Sequence, residues 1–145
     1  MVNSDKIRVP IPAIVVPLVV LLLYLLVPGI RERPFTGLRV FGAVLAVESY
    51  ILFIVARLQL GKAFAVSPQA KELVTHGLYA RMRNPIYVFV GVMWLGLIVA
   101  LPLYWLLLPY ILLVVLQLVR AGKEATVLQD RFGQAYLDYR KQTWF

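Results

Sequence analysis

Four long apolar runs limit what this chain can fold into more than any other feature. They cover residues 11–27, 38–58, 86–100 and 103–119, and most charged residues lie outside them. The first two are long enough to cross the roughly 30 Å hydrocarbon layer of a membrane as helices. The last two are shorter and meet at Leu101-Pro102, so we expect them to form a helical hairpin. The pattern predicts an all-α integral membrane protein with about four transmembrane helices.

The first apolar run has the position of a secretory signal peptide, which is the alternative to a membrane helix. No small-x-small cleavage pattern follows it. Instead, Pro28-Gly29 and a charged segment that ends at Pro34 indicate a helix stop and a turn. We therefore expect a retained first helix. Kinks at Pro12 and Pro17 are tolerable there if neighbouring groups satisfy the carbonyls that a proline leaves without a donor.

Composition narrows the class of protein further. The 145 residues amount to a single domain, and 61% of them are hydrophobic, which is too many for an ordinary soluble domain. The chain has no cysteine and one histidine, so we expect no disulfide, no cysteine nucleophile and no metal centre. The net charge is +8, but the basic residues cluster at the ends of apolar runs. That placement favours a lipid bilayer with anionic headgroups as the partner, and not nucleic acid.

The basic residues also predict an orientation. With four spans, the N-terminal segment, the Gly61–Arg83 loop and the C-terminal tail share one side of the membrane. That side, counted with Arg57, carries twelve lysines and arginines, whereas the other carries three. Because basic residues accumulate on the cytoplasmic side, we expect both termini in the cytoplasm and the protein in the inner or plasma membrane.

Glu48 lies near the middle of the second apolar run. An ionisable residue is expensive inside a membrane, and it is expected to face the protein interior beside a partner. Glu48 is then either a contact for a substrate or cofactor, or a packing residue that is protonated or paired with a tyrosine. The sequence leaves both interpretations open.

The stretch Leu73–Tyr87 separates the two apolar halves and is unlike either of them. It contains the only histidine, two arginines, and a glycine at Gly77 where the backbone can adopt a special conformation. Pro85 directly precedes the third apolar run, as a proline does in the first turn of a helix. Such a loop at the mouth of membrane helices is suited to hold a polar ligand beside an apolar one. The alternative is a basic loop that only follows the positive-inside rule.

A polar stripe is expected on the fourth helix if that helix continues beyond the membrane. Gln117, Arg120 and Glu124 are then three and four residues apart, which places them on one helical face. This face would meet the Leu73–Tyr87 loop at the cytoplasmic end of the helix. The alternative is an arginine that reaches to the membrane surface and forms an ordinary pair with Glu124, worth a few tenths of a kcal/mol.

The loop and the stripe together resemble a known family. The loop contains Leu73-Val74-Thr75, Gly77, Tyr79 and Asn84-Pro85-Ile86-Tyr87, and the later block contains Arg120, Glu124, Leu128, Phe132-Gly133, Tyr136 and Tyr139. This pattern, over residues 60–139 of a single 1–145 domain, is similar to that of the isoprenylcysteine carboxyl methyltransferases and their phospholipid methyltransferase relatives. The resemblance implies a membrane enzyme that uses S-adenosylmethionine, with a cytoplasmic cofactor-binding loop and a C-terminal helical tail.

The resemblance also implies roles for individual residues. Arg120 matches the family arginine that faces the methyl acceptor, and with Glu124 it forms the expected catalytic pair. The implied cofactor contacts are Lys71, Glu72, Leu73, Val74, Tyr79, Asn84, Pro85, Ile86, Tyr87 and Glu124. These types suit the cofactor, because a sulfonium and an ammonium need an acidic partner, and adenine needs aromatic or apolar walls. Methyl transfer is an in-line displacement that depends on positioning, and an arginine can orient an anionic acceptor bidentately.

Two departures from the family pattern leave the acceptor open. Asn84 replaces the usual histidine and cannot act as a base, and Ala125 replaces a second glutamate. The acceptor is expected to be a lipophilic small molecule or a prenylated protein, methylated on a carboxylate, an amine or a hydroxyl. A sterol-reductase-like enzyme that uses NADPH and a non-catalytic membrane module are the alternatives. Phe132-Gly133, Tyr136, Tyr139 and Trp144 predict a turn and a short amphipathic helix that packs under the site.

Overall fold

The computed structural model describes residues 11–61 and 73–144, and those residues are predominantly helical. The helices are α1 (Ile11–Leu26), α2 (Pro28–Arg31), α3 (Gly37–Leu60), α4 (Pro85–Ala100), α5 (Leu107–Phe132) and α6 (Gln134–Gln142). Two single 3-10 turns, Gly77–Ala80 and Tyr104–Leu106, precede α4 and α5. Within these ranges the only β interaction is a bridge between Met82 and Trp144. The predicted all-α class is confirmed for this part of the chain.

The chain divides into two compact units, Met1–Phe35 and Thr36–Phe145. In the first unit α1 runs through Pro17 and ends at Leu26. The sequence predicted a stop and a turn at Pro28-Gly29. The helix does stop, but Pro28 begins the separate four-residue helix α2, a position that proline favours because its φ already suits a helix.

In the second unit α3 and α4 cross with their backbones close together. The buried face of α3 is made of small residues around Gly42 and Ala46, and Gly96 of α4 lies against it. A Cβ atom added to Gly96 would lie 2.7 Å from both the Ala46 nitrogen and the Gly42 oxygen. Small residues four apart allow this kind of close helix contact in membranes. The contact holds the start of α3 against the end of α4, and the loop joins the opposite ends of the two helices.

Glu48 does not face this contact, contrary to the sequence-based expectation. Its side chain lies on the exposed surface of α3, whereas Ala46 and Ser49 are buried. The physical reason is the period of the helix. Each residue turns the helix by about 100°, so Ala46 and Glu48, two residues apart, point in roughly opposite directions. The small residues take the face that packs on α4, and Glu48 is left on the other.

Arg39 has a structural role that the sequence did not predict. Its side chain is 6% exposed, and its Nε donates to the Ala100 carbonyl oxygen at 3.0 Å. The last carbonyls of a helix lack intrahelical donors and carry partial negative charge, so a cation there is stabilising. Arg39 therefore ties the start of α3 to the end of α4.

The predicted helical hairpin is present and is asymmetric. The 16-residue α4 ends at a turn around Leu101, and the 26-residue α5 continues well past residue 119 to Phe132. Two segments of the described chain, Gly37–Leu60 and Tyr104–Phe132, are long and apolar enough to span a membrane. At about 1.5 Å per residue, α4 reaches only about 24 Å, short of a full span. The four-span topology therefore stays a prediction.

Candidate active site

The glycine of the loop is required by its backbone conformation and by its neighbour. Gly77 has a φ of +60°, and a Cβ there would collide with the side chain of Gln59 near the end of α3. The Gln59 Oε1 accepts a hydrogen bond from the Leu78 backbone nitrogen at 2.8 Å. The predicted special conformation is confirmed, and Gln59 is an anchor that the motif does not include. Its signal in the sequence is an amide at the end of an apolar run.

From this anchor a 3-10 turn leads into α4. The Tyr79 nitrogen donates to the His76 carbonyl at 3.1 Å, and the Met82 nitrogen donates to the Leu78 carbonyl at 3.1 Å. Pro85 is the first residue of α4, as predicted, and the carbonyl of Asn84 accepts from the Tyr87 nitrogen at 3.1 Å. The Asn84 side chain makes no capping hydrogen bond. The turn thus fixes the direction in which Tyr87 leaves the first turn of α4.

The C-terminal tail holds the loop from the other side, as predicted. α6 follows a turn at Gly133, and the hydroxyl of Tyr139 donates to the Tyr79 carbonyl oxygen at 2.7 Å. The Trp144 nitrogen donates to the Arg81 carbonyl at 3.0 Å. One detail of the prediction is wrong, because the Trp144 side chain does not pack under the site. Trp144 is 61% exposed, and it contacts the loop through its backbone nitrogen.

The two tyrosines at this contact are buried. Burial raises the pKa of Tyr139 to about 12, and the neighbouring Tyr136 adds to the increase. Burial also raises the pKa of Tyr79, with smaller increases from Tyr139 and from the negative charge of Glu124. Both hydroxyls stay protonated at neutral pH, so Tyr139 remains a hydrogen-bond donor to the loop.

Three side chains from two helices meet at the centre of the site. The Tyr87 hydroxyl of α4 donates to the Glu124 Oε1 of α5 at 2.5 Å, and the Arg120 Nε donates to the same oxygen at 3.0 Å. The Arg120 guanidinium carbon lies 5.9 Å from the centre of the Tyr87 ring. We call Tyr87, Glu124 and Arg120 the α4–α5 cluster.

Two members of the predicted stripe of Gln117, Arg120 and Glu124 belong to this cluster, namely Arg120 and Glu124. Arg120 and Glu124 do form the ordinary pair four residues apart. Tyr87 comes from a different helix, however, and gives the pair a third member that an isolated helix would lack. A pair of this exposure adds little to stability.

The cluster presents an acceptor for cations and a donor for anions side by side. Both hydrogen bonds end on Glu124 Oε1, and no residue within 11–61 and 73–144 donates to Oε2. The Glu124 side chain is 25% exposed and that of Arg120 is 41% exposed, so both remain accessible to a ligand. A carboxylate has about four lone-pair positions and a guanidinium has five N–H donors in a planar fork. A carboxylate that can accept from a cation thus lies beside a guanidinium that can donate to an anion.

The carboxylate of Glu124 suits S-adenosylmethionine, the cofactor that the loop motif implies. The carboxylate oxygen Oε2 suits a sulfonium or an ammonium. Tyr79 is a poorer match to its predicted role, because it is 6% exposed and offers little of its ring as a wall.

The other residues predicted to bind the cofactor differ in how far the structure describes them. Leu73, Val74, Asn84 and Ile86 are half-buried along the loop and the start of α4, and Pro85 is fully buried. Lys71 and Glu72 lie outside the described residues. The structure thus brings Tyr87 and Glu124 into direct contact and places Tyr79 near them. It shows no comparable contact for Leu73 or Val74.

Comparison with known families agrees with the motif and extends it. The family model described as phospholipid methyltransferase matches residues 36–135, more than half of the chain. The matched range contains the whole of α3, α4 and α5, and with them the loop and the α4–α5 cluster. Comparison with curated proteins found no match. The chain therefore belongs to the phospholipid methyltransferase family, which comprises membrane methyltransferases related to the isoprenylcysteine carboxyl methyltransferases.

Proposed function

We propose that this protein transfers a methyl group from S-adenosylmethionine to the polar end of a lipid-type acceptor at the cytoplasmic face of a membrane. The observation that carries the proposal is the α4–α5 cluster, in which an accessible carboxylate and an accessible guanidinium lie within 3.0 Å of each other. The cluster lies near the point where the apolar part of α5 gives way to a charged segment. Lipid headgroups are found at that level.

Glu124 and the loop form the cofactor half of this proposed site. When bound, S-adenosylmethionine supplies an electrophilic methyl group on a sulfonium cation. The Glu124 carboxylate would hold positive charge through Oε2, while the Tyr87 hydroxyl and Arg120 fix its orientation through Oε1. The predicted loop contacts, from Lys71 to Val74 and from Asn84 to Tyr87, would surround the remainder of the cofactor.

Arg120 forms the acceptor half. Its planar fork matches a phosphate or a carboxylate, and its stem can lie along the apolar part of the acceptor. The preferred acceptor is a phospholipid amine, with the phosphate held by Arg120 and the amine beside Glu124. A prenylated protein carboxylate, the acceptor typical of the isoprenylcysteine branch, is the second candidate because the same fork can hold it. Asn84 cannot take up a proton, so it supplies no base for a hydroxyl acceptor. A carboxylate acceptor needs no base, and an ammonium headgroup would release its proton to Glu124 or to solvent before its nitrogen attacks the methyl group.

The exposed surface of the first half of α5 supports a membrane location. Large apolar side chains on α5, such as Leu108 and Leu112, are exposed, which is expected of a surface that faces lipid. We place the loop and both termini in the cytoplasm, in an inner or plasma membrane, because of the twelve-to-three excess of basic residues on that side. This orientation puts the site where S-adenosylmethionine is made.

A methyl-transfer assay tests the proposal. Purified protein in vesicles is given S-adenosylmethionine with a labelled methyl group and either phosphatidylethanolamine or a farnesylated cysteine. We expect label in the organic phase with the amine lipid, and none when the lipid is phosphatidylglycerol, which has a phosphate but no amine. Label on the farnesylated cysteine alone would replace the amine by the carboxylate as the acceptor. A protein that binds neither S-adenosylhomocysteine nor lipid, or that oxidises NADPH, would contradict the proposal.

A further inference from the structure

A second group of polar side chains lies along the seam between α4 and α5, deeper than the α4–α5 cluster. Gly91 of α4 is buried, and two polar atoms of α5 face it. A Cβ atom at Gly91 would lie 3.8 Å from Gln117 Oε1 and 3.9 Å from the Tyr110 hydroxyl. The two oxygens therefore both lie close to the same point in the seam. We call Tyr110, Gln117 and the space at Gly91 the seam subsite.

The seam subsite lies in line with the cluster. Tyr110, Gln117 and Glu124 are spaced seven residues apart, which places all three on one face of α5. Seven residues correspond to about 10 Å along a helix, and Gly91 is one turn, about 6 Å, from Tyr87 on α4. The polar positions therefore continue from the cluster into the apolar part of the hairpin.

Polar groups in such a position need partners. No side-chain hydrogen bond of Tyr110 or Gln117 occurs among residues 11–61 and 73–144, and neither side chain has a polar atom that is sealed from its surroundings. An amide or hydroxyl left without a partner in apolar surroundings is costly. The tyrosine can donate a hydrogen bond through its O–H. The glutamine amide can donate through its N–H₂ once it turns this group toward the space that its Oε1 faces. Their natural complement is a neutral oxygen acceptor carried by something that enters the seam.

We infer that the seam subsite binds a carbonyl oxygen of the methyl acceptor, namely the ester carbonyl of a diacyl lipid. The inference rests on the proposed function, since it assumes that the acceptor headgroup lies at the α4–α5 cluster. In a diacyl lipid the ester bonds follow the headgroup by a short glycerol segment. A headgroup at Arg120 then places the esters deeper along the same seam. Gly91 has a role in this arrangement, because any side chain there would enter the space beside the Tyr110 hydroxyl and the Gln117 amide.

The predicted consequence is a preference for ester-linked lipids. Wild-type protein should retain a diester phosphatidylethanolamine about fivefold better than the diether analogue of equal chain length, because one neutral hydrogen bond is worth about that factor. Retention is measured by native mass spectrometry from mixed micelles, and turnover is measured on each lipid separately. In Tyr110→Phe the preference should fall to about twofold or less. Binding of the diether lipid should not change.

Matched variants separate the subsite from general effects on the hairpin. Tyr104→Phe removes a hydroxyl from an exposed tyrosine just before α5 and should keep the full preference for the diester. Gly91→Ala should fold normally, because its Cβ meets only ordinary contacts, yet it should reduce the preference by filling the subsite. All three variants should bind S-adenosylhomocysteine like the wild type.

The outcomes also separate the subsite from the proposed function. Equal retention of diester and diether lipids by the wild type would overturn the inference, and methyl transfer to both would leave the proposed function standing. An unchanged preference in both Tyr110→Phe and Gly91→Ala would overturn it as well. If the diester preference depends on Tyr110 but no lipid is methylated, the subsite stands and the proposed function fails.

Discussion

Replacement of Arg120 by alanine is expected to lower methyl transfer by at least about a hundredfold. The reason is the loss of the fork that orients the acceptor, and misplacement of reacting groups by about 1 Å has effects of this size. Binding of S-adenosylhomocysteine should stay within about threefold, which corresponds to less than about 1 kcal/mol. The pair between Arg120 and Glu124 is partly exposed, so its loss leaves the carboxylate in place at little cost. Turnover and calorimetry on the same preparation provide both numbers.

Arg120→Lys is the informative companion to this variant. An ammonium keeps the charge but cannot reproduce the planar fork, so rescue of turnover should be poor. Arg131→Ala is a matched control, since this arginine lies further along α5 and is exposed. Parallel loss of cofactor affinity and turnover in Arg120→Ala would move Arg120 to the cofactor half of the site. Full activity would reduce Arg120 to an arginine that only reaches to the membrane surface.

Replacement of Gly96 by leucine should destabilise the protein by about 3 kcal/mol or more. The new side chain would start 2.7 Å from backbone atoms of Gly42 and Ala46, and backbone cannot move aside as a flexible side chain can. Separation of α3 from α4 would also move Gln59 away from the loop, so S-adenosylhomocysteine binding should be lost together with stability.

Gly122→Leu is the control for this prediction. Gly122 also lies within a helix, but a Cβ there has nothing within 4 Å, so leucine should be neutral or stabilising. Thermal unfolding in one detergent, followed by tryptophan fluorescence, compares the two variants. Equal melting temperatures for Gly96→Leu and the wild type would show that α3 and α4 do not cross at Gly42 and Gly96.

The sequence predicts the elements of this protein better than their pairing. The apolar runs predict α1, α3 and both helices of the hairpin, because a continuous apolar segment in a membrane has few alternatives to a helix. Pro85 predicts the start of α4, and the spacing from Gln117 to Glu124 predicts the polar face of α5. The tail helix follows from local pattern as well, since Gly133 separates it from α5.

The contacts between these elements could not be predicted from the sequence and are known from the structure. Glu48 was expected to face the interior, but hydropathy does not show which side of α3 packs on α4. The bond from Tyr87 to Glu124 and the cap that Arg39 forms on Ala100 join residues 37 and 61 positions apart in the chain. Residues so distant share no local pattern, and only the geometry of the helix crossing brings them together. The family motif supplied Tyr87 and Glu124 as candidates without showing that they touch.

Calorimetry with S-adenosylhomocysteine tests the central claim most directly, namely that the loop and Glu124 form a cofactor site. The wild type should bind this compound and give no heat with NADPH. Tyr79→Ala and Glu124→Ala should each weaken binding by about 1–3 kcal/mol through loss of a buried aromatic support or a charged hydrogen bond. Asp138→Ala is the control, since Asp138 is an exposed carboxylate paired with Lys141 at 3.0 Å. Unchanged affinity in both site variants, with the fold intact, would contradict the account.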